Sequence, residues 1–113
     1  MLLTKDQILK SDDLPSIIVD VPDWGGEVKV RAMSIHDRIK FEAEQANNAS
    51  QTAMMVNLVL YTCVNENNER IFDDSDKEML ESKSPQALMK VFSASIGLNI
   101  LTQEVIEEKA KNS

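Results

Sequence analysis

The stretch VDVPDWGGEVKVRAMS, residues 19–34, constrains the fold more than any other part of the chain. Ile17, Val19 and Val21 alternate with Ile18 and Asp20, the period of a strand. Val28, Val30 and Ala32 then alternate with Glu27, Lys29 and Arg31. PDWGG between them supplies turn chemistry, since Gly25 and Gly26 can take positive φ at little cost. A two-stranded hairpin is marginal in water, so its apolar face has to lie on helices. Its charged face, with Asp20, Glu27, Lys29 and Arg31, is expected in water. The tip carries the only tryptophan, Trp24. An exposed Trp there is a typical binding hot spot, and a folded-back one plugs the core. The spacing leaves both open.

Most of the remaining chain reads as helix. In QTAMMVNLVLYTCV, residues 51–64, apolar side chains leave almost no polar face. Such a helix is either central in the core or shared with a partner. Around it, Thr4 and Gln7 have capping-box spacing, and Pro15 closes the N-terminal turns. Ser34 caps IHDRIKFEAEQA, whose Ile35, Ile39, Ala43 and Ala46 form one stripe, with Glu42 and Glu44 assigned to water. After a break at NNAS, Asn48 or Ser50 caps the central helix. NENNER is a polar turn in which Asn67 and Asn68 tolerate left-handed backbone, and Ile71-Phe72 returns to the core. A short helix follows, capped by Asp73, Asp74 or Ser75. Ser84-Pro85 opens another helix, with Leu88, Val91, Phe92 and Ser95 on one face and Ile96 beside them, ended by Gly97 and Asn99. Thr102 caps a last helix, residues 103–112, with Val105 and Ile106 inward. The expected architecture is α+β, mainly α: about five helical segments packed with one N-terminal β-hairpin, in one domain over residues 1–113.

No catalytic apparatus is apparent. His36 stands beside Asp37, but neighbours on a helix do not face each other, so it reads as a surface or boundary histidine. Cys63, the only cysteine, lies in an apolar run and reads as an inert small hydrophobe with no disulfide partner. CxxC and HExxH are absent. The acidic run 73–76 fails as a calcium loop, because its sixth and twelfth positions are Glu78 and Ser84 rather than Gly and Glu. No phosphate-binding loop occurs. The chain is therefore expected to be no enzyme, with no cofactor and no metal. A net charge of −7 opposes binding to nucleic acid and to anionic membranes. The first residues lack a signal-peptide pattern, and no run reaches membrane-spanning length, so the chain reads as cytosolic.

Taken in order, LLTKDQILKSDDLP, VPDWGGEVKVRAMS and DRIKFEAE resemble the start of the tail assembly chaperones of long, flexible-tailed bacteriophages. The later stretch from Ile71 to Glu108 resembles that family's C-terminal half. The specific elements are the V-P-x-W-G-G hairpin, the I-F return, the S-P helix start and the N-x-L-T ending. NENNER stands where an Asp-Gly type of turn is expected, and the apolar helix itself is not distinctive. The resemblance implies binding of the tape measure protein, a long helical chain that sets tail length, and help in assembling tail tube subunits around it. It implies a self-associating protein in the host cytoplasm, absent from the mature virion, often made also in a longer frameshifted form.

The residues fit that expectation independently. A chaperone for a long apolar helix needs adaptable apolar surface, and the chain has six Met against only 4% aromatics. Candidate protein-binding residues are Met54, Met55, Leu58 and Val59 of the central helix, read for helix-in-groove contact, and Trp24 at the hairpin tip. The alternatives are a structural tail component retained in the virion, such as a terminator or connector, and a small cytosolic enzyme or regulator.

Overall fold

The computed structural model describes residues 1–99. Strand β1, Ser16–Val21, pairs antiparallel with β2, Gly26–Arg31, from Ser16 opposite Arg31 to Val21 opposite Gly26. A 3₁₀ turn over Pro22–Trp24 joins them, closed by the Gly25 N–H donating to the Pro22 carbonyl at 2.9 Å. Gly25 is left-handed, with φ of 80°. Gly26 is not: it is already the first residue of β2. Only one of the two glycines thus uses that freedom.

A third strand, β3 at Cys63–Val64, pairs with the other edge of β2, giving the order β1-β2-β3. The apolar run that began as helix simply goes on as strand. Periodicity cannot separate two buried strand residues from the end of a buried helix. Asn68, at φ of 64°, turns the chain back so that Arg70 bridges Val64.

The helices are α1 (Lys5–Lys10), α2 (Ile35–Asn47), α3 (Gln51–Thr62), α4 (Lys77–Glu81) and α5 (Pro85–Asn99). Their starts follow local chemistry. Thr4 and Gln7 form the reciprocal capping box of α1, at 3.2 and 2.9 Å. The hydroxyls of Ser34, Ser50 and Ser84 accept from N–H groups in the first turns of α2, α3 and α5. Asp73 caps the 3₁₀ turn that leads into α4. Capping thus accounts for the acidic run. Ser50 rather than Asn48 is the cap of α3; Asn48 accepts from the Ser50 N–H. Gly97 stays inside α5, and Asn99 is a buried part of that helix.

The core lies where the inner face of the hairpin meets α3 and α5. Val21 and Val30 pack with Val59, Leu60, Leu88 and Val91. A second cluster, Met33, Phe41, Leu58 and Tyr61, joins α2 to α3. The outer face of the hairpin is only partly wet: Arg31 donates to Asp12 at 2.8 Å and to the Asn68 carbonyl at 3.4 Å, and is half-buried.

Helix α2 reverses its expected orientation. Ile35 and Ile39 are 80% and 63% exposed, and Ala43 and Ala46 are exposed with them. Phe41 is its one fully buried residue. The inner face is polar because α3 offers polar partners. Tyr61 Oη donates to Glu44 at 2.8 Å, Asn57 Nδ2 donates to Gln45 at 3.4 Å, and Phe41 meets Tyr61 edge-on at 6.5 Å. Glu44, expected in water, is half-buried by that contact. The expected last helix, residues 103–112 with Thr102, Val105 and Ile106, lies outside the described residues.

Candidate protein-binding surface

The five candidate residues do not form one patch. Leu58 and Val59 are fully buried, and Met55 is 9% exposed. Met54 is half-buried against the α2–α3 cluster, whereas Trp24 packs against the hairpin-side core. Helix α3 is enclosed by the hairpin, α2, α4 and α5, so its apolar circumference is used inside the subunit. Of the two readings open to an apolar helix, the burial of Leu58 and Val59 places that part of α3 centrally in the core. Of the five, Met54 and Trp24 are half-buried, Met55 keeps a small accessible area, and Leu58 and Val59 keep none.

Accessible apolar surface lies instead on elements at the periphery. In the N-terminal arm, Leu2, Leu3, Ile8 and Leu9 are all exposed, and α1 buries no residue. Ile17 and Ile18 lie exposed on β1, which is an edge of the sheet. The exposed stripe of α2 is the third such region. The signal for the arm was present in LLTKDQILK: one apolar pair precedes a well-capped helix and another lies within it, and the helix is too short to bury them itself.

Electrostatic contacts brace this surface. Lys90 of α5 reaches Asp23 at the hairpin tip, 3.1 Å away, and that contact holds the Asp23 carboxyl below the usual carboxylate range. Arg70 donates to the Leu60 carbonyl at 3.3 and 3.2 Å, satisfying a group in the last turn of α3. Its guanidinium also sits 4.4 Å from the centre of the Tyr61 ring. Burial, followed by the hydrogen bond to Glu44, pushes the Tyr61 phenol well above its ordinary range.

A cleft of about 370 Å³ opens between α3, α4 and the start of α5, lined by Thr52, Met55, Lys77, Glu81, Lys83 and Leu88 among others. Its lining combines lysines, a carboxylate, the hydroxyls of Ser50 and Thr52, and apolar floor residues, with neither histidine nor cysteine among them. His36 is exposed on α2. Cys63 is buried, and desolvation pushes its thiol up to about 12, so it is a poor nucleophile at neutral pH. Among the described residues no group of three or more His, Cys, Asp or Glu is placed to hold a metal ion. No helix among them is long and apolar enough to cross a membrane.

The fold is thus an α+β class in which a short antiparallel sheet packs on a central apolar helix, with apolar arms left at the edge. No protein-family model matches the sequence, and no curated protein matches it. Among solved structures, it is similar to the tail assembly chaperone of bacteriophage HK97, at 18% identity and a TM-score of 0.52, over 79% of this chain and 90% of that one. The resemblance seen in the sequence and the likeness seen in the structure agree: the chain has the fold of a phage tail assembly chaperone.

Proposed function

We propose that this protein is a non-catalytic tail assembly chaperone that binds the tape measure protein, keeps it soluble and promotes tail tube assembly around it. The observation that carries the reading is the shared fold with the HK97 tail assembly chaperone over most of both chains. A folded, capped N-terminal helix with no buried residue supports it, because an apolar helix face held in water suits a helical client. Leu2, Leu3, Ile8 and Leu9 are the client contacts in this reading, with Trp24 and Met54 as accessible contacts on the body of the subunit. Met55, Leu58 and Val59 hold the subunit together behind them. The protein works in the host cytoplasm, self-associates, and leaves before the virion matures; the tail tube protein is a further partner.

Co-expression with the tape measure protein tests the role. The expected result is a soluble complex, with the tape measure protein insoluble when expressed alone. Failure to hold any segment of it in solution would sink the proposal. Mass spectrometry of purified particles separates this from the structural alternative: a terminator or connector is present stoichiometrically in virions, and a chaperone is not.

A further inference from the structure

We infer that the outer edge of β1 docks a second copy of this chain, the two β1 strands running antiparallel with Ile18 opposite Ile18 of the partner subunit. Strand β2 lies between β1 and β3, and Arg70 bridges Val64 of β3. Among the described residues nothing pairs with the other side of β1. Its six residues, SIIVDV, contain neither Lys nor Pro, which commonly defend such an edge. Ile17 and Ile18 are both exposed, and successive strand residues point to opposite faces of the sheet. An undefended edge with apolar side chains on both faces is a template for another strand.

Self-complementarity selects the second copy and sets the register. Residues opposite each other in a strand pair share a face, so a two-fold axis has to pass beside one residue of β1. Centred on Ile18, it sets Ile18 against its own copy on the outer face and Ile17 against Val19 on the inner face. Both exposed isoleucines are then covered at once. Centred one residue later, it would set Ile18 against Asp20. Charge agrees. Asp20 pairs with Glu27 at the turn end of the hairpin, and Arg31 stands opposite Ser16 at the other end. Antiparallel docking brings the acidic end of each hairpin beside the basic end of the other: Asp20 faces Ser16, with the partner subunit's Arg31 on the next strand. A parallel, in-register pair would instead set Asp20 beside Asp20. Lys29, which pairs with Ile18, ends three strand spacings, about 14 Å, from the partner subunit's Lys29. This surface would carry the self-association put forward under the proposed function, and it rests on that part of the reading.

Cysteine cross-linking in the full chain tests it. Opposite residues of an antiparallel pair have Cα atoms about 4.5–5.5 Å apart, within disulfide reach. The two copies of Asp20 would stand about 14 Å apart, beyond it. Mild oxidation of Ile18→Cys should give a covalent dimer at least ~tenfold faster than oxidation of Asp20→Cys, an exposed site on the same face. The buried Cys63 stays out of the reaction. Ile18→Lys, at a site 54% exposed in the subunit, should keep its circular dichroism spectrum and halve the solution mass. Equal cross-linking rates, or an unchanged mass for Ile18→Lys, would overturn the inference. A monomeric wild-type chain that still holds the tape measure protein in solution would overturn it and leave the chaperone reading standing. A dimer linked through Ile18→Cys that holds none of the tape measure protein would support the surface and sink the chaperone reading.

Discussion

The side chain of Asn99 accepts a hydrogen bond from the backbone N–H of Met33, 66 residues earlier, so the far end of α5 is pinned to the junction of β2 and α2. The same amide donates to the Ser95 carbonyl at 2.9 Å and to the Ser95 hydroxyl at 3.2 Å. Asn99 is buried, so water cannot replace these partners.

Replacing Asn99 with Ala leaves the Met33 N–H without its acceptor in a buried site. The expected loss is about 1–3 kcal/mol of folding stability. In a chain of this size each kcal/mol lowers Tm by roughly 4–8 °C. Asn99→Leu, close in volume, should lose as much, because the deficit is in hydrogen bonding rather than packing. Denaturant unfolding of both variants measures it; an unaltered midpoint for Leu would show that the amide contributes only bulk.

The reversed orientation of α2 makes an opposing pair of predictions. Phe41→Ala removes the helix's buried anchor against Tyr61 and should cost about 3–5 kcal/mol. Ile35→Ser, at a site 80% exposed, should stay within about 0.5 kcal/mol. The apolar periodicity of the sequence alone would rank Ile35 as a core residue, so thermal melts of the two variants decide between pattern and structure.

That ranking shows where sequence reasoning reached and where it stopped. The hairpin, the caps at Thr4, Ser34 and Ser84, and the face of α5 with Leu88, Val91 and Ser95 were legible, because each follows from short-range geometry. The inner face of α2 was not. Its partners, Tyr61 and Asn57, lie on another helix, and long-range polar pairing outweighs the helix's own apolar stripe. The two readings of α3 stayed open in the sequence for a related reason. An apolar helix announces that it will be covered, but not whether its own chain or a partner covers it. Here the hairpin and α5 cover Val59, and the cluster containing Phe41 and Tyr61 covers Leu58.

The hairpin tip separates two neighbouring glycines. Gly25→Val forces a β-branched residue into left-handed backbone and should cost about 1–2 kcal/mol. Gly26→Val should be close to neutral, since that position has ordinary φ, begins a strand, and has nothing within 4 Å of an added Cβ. Equal melting temperatures for the two variants would mean that Gly25 is not held left-handed in solution.

Asp73 ties stability to acid. Its carboxylate accepts from the Ser75 hydroxyl and from the Ser75 N–H at 2.9 Å, and these bonds hold its pKa below the usual aspartate range. The native state therefore binds this proton less readily than the unfolded chain. The contribution is complete above the unfolded value of about 3.9 and is lost as pH falls through the lower folded value. Asp73→Asn keeps an acceptor at the cap but does not titrate. Its Tm should fall less steeply than wild type when pH is lowered below about 4. Parallel curves would exclude Asp73 from the acid response.

The N-terminal arm should be dispensable for folding and needed for client capture. Residues 1–10 contribute no buried side chain, and polar links from this end of the chain to the body come later: Asp12 to Arg31, and the Pro15 carbonyl accepting from the Ala32 N–H at 2.9 Å. A chain with Ile8→Asp and Leu9→Asp keeps those links and the Thr4–Gln7 capping box, so its melting temperature should match wild type. Removal of apolar anchors from a client contact weakens binding by at least about 1.4 kcal/mol, or ~tenfold. Pull-down of the co-expressed tape measure protein should drop accordingly. Undiminished capture by this variant would move the client contact off the arm, to the remaining accessible residues Trp24 and Met54, whose separate substitution is then the decisive measurement.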